Sequence, residues 1–128
     1  MSGPARAGVL IYALDLETLA GFYAQLLGAQ VLHQDAEHQV LQSPDAQLIV
    51  HAIPAAYREG LMIQTPPEPR EAQAIKPFFT VPSLAEAERL AEQLGGRVCG
   101  PLWPGPGMRV RNVCDPEGNI VQLRELTP

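Results

Sequence analysis

The sequence has 128 residues, of which 46% are apolar, which is enough for one folded domain with its own core. Its net charge is −5 and it contains no run of Lys and Arg. This argues against nucleic-acid binding, because phosphate binding rests on clustered basic residues. No apolar stretch is long enough to cross a bilayer, and the opening segment 1–8 lacks the plan of a signal peptide. With Cys99 and Cys114 expected to be reduced thiols, a cytoplasmic protein without membrane contact is expected.

The first half of the chain predicts a strand, a helix and three further strands. The apolar run 9–14 has the length of a strand, and Asp15 follows it as a helix N-cap, because its carboxylate can accept hydrogen bonds from first-turn amides. Gly28 is predicted to end the helix in a left-handed conformation, and a turn is predicted at 43–45. The apolar helix face consists of Leu19, Phe22, Tyr23, Leu26 and Leu27, and the later strands lie at 30–34, 38–42 and 47–53.

The second half repeats this order of elements. The segment 75–81 is strand-like, with Pro77 favouring an edge position or an irregular start. Ser83 and Glu86 have the spacing of a capping box at the start of a helix that Gly95 ends. The helix face consists of Ala87, Leu90, Ala91 and Leu94, the strands lie around 97–100, 108–114 and 119–124, and the Gly/Pro-rich segment 100–109 is predicted to be a loop.

These elements predict an α+β fold made of two βαβββ modules in a single domain. The modules span about 8–54 and 74–126, and a Pro-rich connector at about 55–73 joins them. Gly28 and Gly95 end the two helices 67 residues apart, which indicates an internal repeat. A single helix covers only one face of a sheet. Pairing the modules would cover the other faces and leave a hollow between two curved sheets as the ligand site, with the helices outside.

Three segments resemble the vicinal oxygen chelate superfamily, which contains glyoxalase I, bleomycin-resistance proteins, fosfomycin-resistance enzymes and extradiol dioxygenases. They are LDLETLAGFYAQLLGAQV at 14–31, FTVPSLAEAERLAEQLGGRV at 79–98 and DPEGNIVQLRE at 115–125. The resemblance implies two curved mixed sheets around a central hollow. It also implies a homodimer, in which the modules pair either within one chain or between two chains.

In the metal-using members, the resemblance implies metal ligands on the opening and closing strands of each module. Aligned on the helix ends and the DPEGN turn, these positions fall on Gly8, His51, Lys76 and Gln122, with Val50 replacing His51 if that strand is shifted by one residue. A hydrogen, an imidazole, an ammonium and a neutral amide are a poor ligand set, because a divalent ion needs several imidazole or carboxylate donors. No metal and no other cofactor is therefore expected.

Strand alternation predicts a mostly apolar hollow with a few polar groups, which is typical of a small-molecule site. Lys76 could bind a carboxylate or phosphate or polarise a carbonyl; a solvent-facing or ion-paired lysine is the alternative. His51 could contact the ligand or carry a proton; a hydrogen-bonded core or rim histidine is the alternative. Leu10, Tyr12, His51, Ile53, Lys76, Phe78, Ile120, Gln122 and Arg124 are expected to face the hollow, and Val9, Ile11, Val50, Val121 and Leu123 the helices.

Three more groups of side chains have two interpretations each. Arg109 and Arg111 are two residues apart on a strand, so both could clamp an anionic ligand or pair with carboxylates at a dimer surface. Trp103 could lie against a planar ligand or cover a hydrophobic edge. His33 and His38 flank a predicted hairpin with a spacing that imitates a metal pair, but solvated histidines at a hairpin end are expected.

The sequence therefore predicts a protein that binds a small organic molecule, anionic ones included, without a metal and without breaking a bond. One alternative is a lyase, isomerase or dioxygenase of the same superfamily that uses a divalent metal or acid–base chemistry at Lys76 and His51. A second alternative is an inert module that binds a partner through the connector. The expected ligand-binding residues are Tyr12, His51, Lys76, Phe78, Trp103, Arg109, Arg111 and Gln122.

Overall fold

The computed structural model describes residues 5–44 and 46–128. The chain divides into two compact units, Met1–Leu61 and Met62–Pro128, and the boundary falls inside the predicted connector. Each unit contains one mixed sheet and one α-helix, which confirms the α+β class and the pairing of one helix with each sheet. Among the described residues, no helix is long and apolar enough to cross a membrane. The turn predicted at 43–45 includes Asp45, which lies outside the described residues.

The first unit follows the predicted order of elements. Its sheet has the strand order β1-β4-β3-β2, with β1 parallel to β4 and the other pairs antiparallel. A short 3-10 helix, Ala55–Tyr57, follows the sheet. The elements are β1 (Gly8–Ala13), α1 (Leu16–Leu26), β2 (Gln30–Gln34), β3 (His38–Gln42) and β4 (Gln47–Ala52).

Local signals determine where helix α1 begins and ends. The Asp15 carboxylate accepts a hydrogen bond from the Thr18 amide at 3.1 Å, an N-cap that contributes about 1 kcal/mol. Gly28 has a φ of 59°, the left-handed conformation that ends a helix without a Cβ penalty. The predicted apolar face packs against the sheet, and the core of the unit includes Leu19, Phe22, Tyr23, Leu26, Leu41, Leu48 and Val50.

The second unit has one strand more than the sequence predicts. Its sheet has the order β5-β9-β8-β6, and β7 pairs with β8. Strand β5 runs parallel to β9, and the other pairs are antiparallel. The elements are β5 (Phe78–Thr80), α2 (Leu84–Gln93), β6 (Arg97–Val98), β7 (Trp103–Gly105), β8 (Met108–Cys114) and β9 (Ile120–Leu126).

Two predicted segments differ from the observed elements. Strand β5 begins at Phe78, not at residue 75, because Pro77 has no amide donor for the ladder; Lys76 therefore lies outside the sheet. The segment 100–109 is not wholly a loop. Trp103 pairs with Val110, and Gly107, with a φ of 67°, turns the chain back into β8. Pairing across this hairpin supplies the backbone hydrogen bonds that composition alone does not reveal.

Only half of the predicted capping box forms at helix α2. The Ser83 hydroxyl accepts from the Glu86 amide at 3.2 Å, but the Glu86 carboxylate pairs with Arg89 and does not reach back to Ser83. The Leu84 amide instead donates to the Glu125 carboxylate at 2.7 Å. Strand β9 thus supplies a hydrogen-bond acceptor to the first turn of the helix.

The DPEGN turn before β9 is held by a fully buried carboxylate. Asp115 accepts hydrogen bonds from the Glu117 amide at 2.8 Å, the Asn119 amide at 3.1 Å and the Asn119 side chain at 2.8 Å. Gly118 has a φ of 88°, and a Cβ there would clash with the Glu68 carbonyl oxygen. Since the Arg70 amide also donates to the Gly118 carbonyl at 2.9 Å, the end of the connector packs against this turn.

Candidate functional site

In the described part of the chain, helix α1 packs on one face of the first sheet, and no α-helix of this unit packs on the other face. Helix α1 packs on the face that carries Leu48 and Val50, both of which are buried. The register places Tyr12 opposite His51, and Leu10 opposite Ile49, on the other face. Tyr12 is 57% exposed, so this open face presents an aromatic ring to solvent. The predicted grouping of Leu10, Tyr12 and His51 on one side of the sheet agrees with this register.

An aromatic row crosses the open face of the first sheet. The Tyr12 and His51 ring centroids are 5.8 Å apart, His51 stacks on His38 at 5.7 Å with an interplanar angle of 15°, and the His38 and His33 centroids are 4.8 Å apart. All three histidines of the chain lie in this row. The sequence grouped Tyr12 with His51 but did not place His33 and His38 beside them.

The hydrogen bond of His51 fixes the role of its two ring nitrogens. Nδ1 lies 2.7 Å from the Ala52 carbonyl oxygen, which can only accept, so Nδ1 carries the proton and donates. In the neutral ring, Nε2 then keeps a free lone pair. His51 can therefore accept a proton or a hydrogen bond from a ligand on the open face.

The second sheet also has a face opposite its helix, and Arg124 is its central cation. The guanidinium carbon lies 3.8 Å from the centroid of the Phe78 ring, and Nε donates to Gln122 Oε1 at 2.9 Å. Within the described part of the chain, no carboxylate lies within ion-pair distance of Arg124. Phe78 is 56% exposed. The Arg124 guanidinium is thus held by the Phe78 ring and the Gln122 amide, and no acidic side chain of the described residues neutralises its charge.

Asn112 is a polar residue of this face that the sequence reasoning missed. The register places it opposite Gln122, and it is only 7% exposed. Its Oδ1 is buried and makes no hydrogen bond to any described residue. An unsatisfied buried acceptor costs about 1–3 kcal/mol, so this oxygen favours an enclosed water that can donate to it. Alternation along β8 would have identified Asn112 once β8 was paired with β9.

Trp103 lies on the same face of the second sheet. It pairs with Val110, which pairs with Arg124 on the far side, so the indole and the guanidinium are separated by one strand. Trp103 is 43% exposed. Lys76, by contrast, is exposed and lies outside the strands, so the predicted inward position of its ammonium on a strand is wrong.

Arg109 and Arg111 project from the opposite face of β8. Arg109 pairs with Glu125, and Arg111 Nη1 lies 3.4 Å from the Glu88 carboxylate on helix α2. Hydrogen bonds from Arg109 and from the Leu84 amide lower the pKa of Glu125. The two arginines thus share one side of the strand, as predicted, but each pairs with a carboxylate and neither lies on the face of Gln122 and Arg124.

The four positions to which the family resemblance assigns metal ligands do not carry a suitable ligand set. Gly8 has no donor, and a Cβ there would lie 2.6 Å from the Gln47 carbonyl oxygen, so the strand spacing leaves no room for a ligand side chain. Gln122 Oε1 already accepts from the cationic Arg124. His51 is the single competent donor, and Lys76 lies outside the strands. A depression of about 320 Å³ at the start of β1 has no His, Cys, Asp or Glu among the residues that line it.

The register also corrects the predicted equivalence of His51 and Gln122. Tyr12 lies three residues before the N-cap Asp15, and Thr80 lies three residues before the N-cap Ser83, so the two occupy equivalent places on β1 and β5. Tyr12 pairs with His51, whereas Thr80 pairs with Arg124. Arg124 is therefore the counterpart of His51, and Gln122, which pairs with Phe78, is the counterpart of Ile49, which pairs with Leu10. The predicted equivalence of His51 and Gln122 is wrong.

The two cysteines do not offer an activated nucleophile. Both are free thiols, Cys114 fully buried and Cys99 half-buried. Burial raises the pKa of Cys99, and burial followed by the neighbouring Cys99 raises the pKa of Cys114 to about 12. Because the thiolate is the reactive form, neither thiol favours covalent catalysis at neutral pH.

Comparisons with known proteins agree with this architecture. A sequence model described as the glyoxalase-like domain matches residues 8–123. Among curated proteins, none matches the sequence significantly.

Solved structures provide three comparisons. A glyoxalase/bleomycin resistance protein/dioxygenase family enzyme from Burkholderia phytofirmans PsJN has 15% identity and a TM-score of 0.68, covering 91% of this chain and 94% of that one. The fosfomycin resistance protein FosX from Listeria monocytogenes has 14% identity and a TM-score of 0.66, covering 99% and 95%. A bleomycin-binding protein complexed with bleomycin has 22% identity and a TM-score of 0.60, covering 95% and 98%. At these identities the similarity shows the fold alone.

Proposed function

The chain belongs to the glyoxalase-like domain family of the vicinal oxygen chelate superfamily, and from that premise we propose that it binds a small organic anion without a metal at the family positions. The predicted homodimer, the hollow between modules and the cytoplasmic location stay predictions. The proposed ligand-binding surface is the face of the second sheet that carries Phe78, Asn112, Gln122 and Arg124.

Arg124 is the observation that carries this proposal. Its guanidinium is stacked on Phe78 and hydrogen-bonded to Gln122, and no acidic side chain of the described residues pairs with it. A guanidinium in this arrangement can donate two parallel hydrogen bonds to a carboxylate or phosphate. Phe78 and Trp103 can contact the planar part of an anion.

Binding without bond breaking is supported by the poor metal ligand set and by one neighbour. The bleomycin-binding protein has the same fold and binds its ligand as a complex. For this chain, the donors needed for metal-assisted catalysis are missing at three of the four family positions, Gly8, Lys76 and Gln122. We therefore infer that ligand binding survives removal of divalent metals by a chelator.

Arg124→Gln tests the proposed surface. Trp103, the single tryptophan of the chain, lies one strand away and gives a built-in fluorescence signal for binding. We expect titration with aromatic carboxylates and phosphates to change this fluorescence, while their neutral amides do not. Hydrogen bonds to a charged group contribute about 1.5–3 kcal/mol, so R124Q should weaken binding of a responsive anion by roughly 10- to 100-fold.

The matched control is Arg89→Gln, which removes the same charge from the exposed surface of α2. R89Q should bind the anion like the parent. Equal affinity of the parent and R124Q for a responsive anion would remove Arg124 from the site, and equal response to the neutral amides would refute recognition of the anionic group.

An acid–base enzyme is the second candidate, and His51 favours it. The free lone pair on Nε2 lies on an open face beside the Tyr12 phenol, so a proton could move between a substrate and this nitrogen. Turnover of a bound compound that persists with a chelator and is lost in His51→Gln would establish this function. Binding with no change in the compound would support the first candidate.

A further inference from the structure

Three side chains of the β2–β3 hairpin converge at one end of the aromatic row. His33 Nε2 lies 2.8 Å from one oxygen of Asp35, and His38 Nδ1 lies 3.3 Å from the other. The three potential ligand atoms all lie within 4.8 Å of one another. They belong to a six-residue segment, HQDAEH, and all three side chains are solvent-accessible. None of the three side chains is at a family metal position, although His38 stacks on His51.

A β-bulge brings His33 to this face. Val31 pairs with Leu41 but His33 pairs with Val40, so Leu32 is an extra residue in β2. If the ladder continued regularly from the Val31–Leu41 pair, Leu32 would pair with Val40 and His33 with Gln39, and the His33 ring would project from the other side of the sheet, away from His38. The approach of the two imidazoles therefore depends on an irregularity of the strand and is not a consequence of sequence spacing.

The third group is held in place by the backbone of the turn. Asp35 Oδ1 accepts from the Glu37 amide at 2.8 Å and from the His38 amide at 2.9 Å. These bonds fix the carboxylate between the two strands and leave Oδ2 directed to His33. The ligand atoms are thus preorganised on a short hairpin, which lowers the entropy cost of gathering them around an ion.

We propose that His33, Asp35 and His38 form a binding site for a divalent transition-metal ion of the zinc class. Ligand atoms around a tetrahedral ion with bonds of about 2.0–2.2 Å lie about 3.3–3.6 Å from one another. The three potential ligand atoms here lie within 4.8 Å of one another, so small side-chain rotations would bring them to these distances. Two imidazoles and a carboxylate are donors for Zn²⁺, Co²⁺ or Ni²⁺, whereas Mg²⁺ and Ca²⁺ require mostly oxygen ligands. The exposed fourth position is left to water or to a group from a bound molecule.

His51 is not a ligand of this site. Its ring stacks on His38 and its Nδ1 donates to the Ala52 carbonyl, so it belongs to the neighbouring part of the row. It contributes no bond to the ion in this arrangement. His51 therefore supplies a matched control, since it is a third histidine on the same face.

The test is a calorimetric titration of chelator-treated protein with Zn²⁺, and with Co²⁺ followed by its visible absorption. We expect one ion per chain, with bands typical of nitrogen and oxygen ligands. Loss of an outer-shell partner costs roughly 10–100-fold in metal affinity, so loss of a ligand in His33→Asn or His38→Asn should cost at least as much. His51→Asn should bind like the parent.

Asp35→Asn distinguishes the role of Asp35 in holding the turn from its role as a metal ligand. The asparagine oxygen can still accept from the Glu37 and His38 amides, so the hairpin should persist, while the anionic donor is lost and Zn²⁺ affinity should fall. Parent-like affinity in the His33 and His38 variants, an equal loss in H51N, or no binding by the parent would each overturn the proposal. Since R124Q should leave Zn²⁺ binding unchanged, failure of this proposal is distinguishable from failure of the proposed anion site.

Discussion

The buried Asp115 carboxylate should be among the strongest single contributions to stability in the second unit. Asp115→Ala removes the acceptor for one fully buried amide, that of Glu117, and for two partly buried donors of Asn119. A buried donor left without a partner costs about 1–3 kcal/mol, and a typical hydrogen bond contributes about 0.5–1.5 kcal/mol. Summed over the three bonds, we expect the free energy of unfolding to fall by about 2–6 kcal/mol.

Asp115→Asn refines this prediction because it keeps part of the geometry. Its carbonyl oxygen can accept from both backbone amides, as Oδ1 does now, while its NH₂ group would face the Asn119 side-chain nitrogen, which is also a donor. We expect a loss of about 1–3 kcal/mol, intermediate between the parent and D115A.

Urea unfolding followed by circular dichroism measures these differences as shifts of the midpoint at constant m-value. Asp15→Ala is the comparison, because the Asp15 carboxylate caps an exposed helix end and its loss should cost about 0.5–2 kcal/mol. The reasoning that these three bonds stabilise the turn is refuted if the free energy of unfolding of D115A lies within about 1 kcal/mol of the parent value. It is also refuted if D115A is more stable than D15A.

Three further predictions concern the second unit. Gly118→Ala should destabilise the protein by more than about 1 kcal/mol in urea, because of its positive φ and the clash with the Glu68 carbonyl; parent-like stability would contradict the clash. Glu125→Gln should lower the melting temperature at pH 7 but not at acid pH. The folded pKa of Glu125 is lowered, so its stabilisation is present above its usual value of 4.5 and is lost as pH falls through the folded pKa; a pH-independent difference would contradict this. A thiol reagent at pH 7.5 should modify Cys99 well before Cys114, since Cys114 is fully buried and its pKa is raised to about 12; equal rates would exclude this reasoning.

The helix boundaries were predictable because their signals are local. The Asp15 carboxylate reaches an amide three residues away, and Gly28 relieves a backbone strain within one turn, so each signal acts without the rest of the fold. Ser83 acts in the same way at the second helix. The reciprocal bond from Glu86 failed because Arg89, one turn along the helix, is a stronger partner for its carboxylate.

Features that depend on a partner strand were not predictable from the chain alone. The existence of β7 at Trp103 is decided by pairing with β8. The equivalence of His51 and Gln122 failed for the same reason, since the linking segments in the two units differ in length and shift the last strand by two residues. Asn112 went unnoticed because no local pattern distinguishes it from a surface residue.

The extra residue in β2 has a consequence for self-association. Strand β2 is an outer strand of the first sheet, and every one of its residues is exposed, including Val31 and Leu32. A straight apolar border of this kind is a template on which a second molecule can add a strand and start aggregation. The bulge at Leu32 interrupts the even spacing of backbone amide and carbonyl groups. A strand from a second molecule can therefore form only a few consecutive hydrogen bonds with β2. We expect a variant that lacks Leu32 to aggregate more readily in concentrated solution.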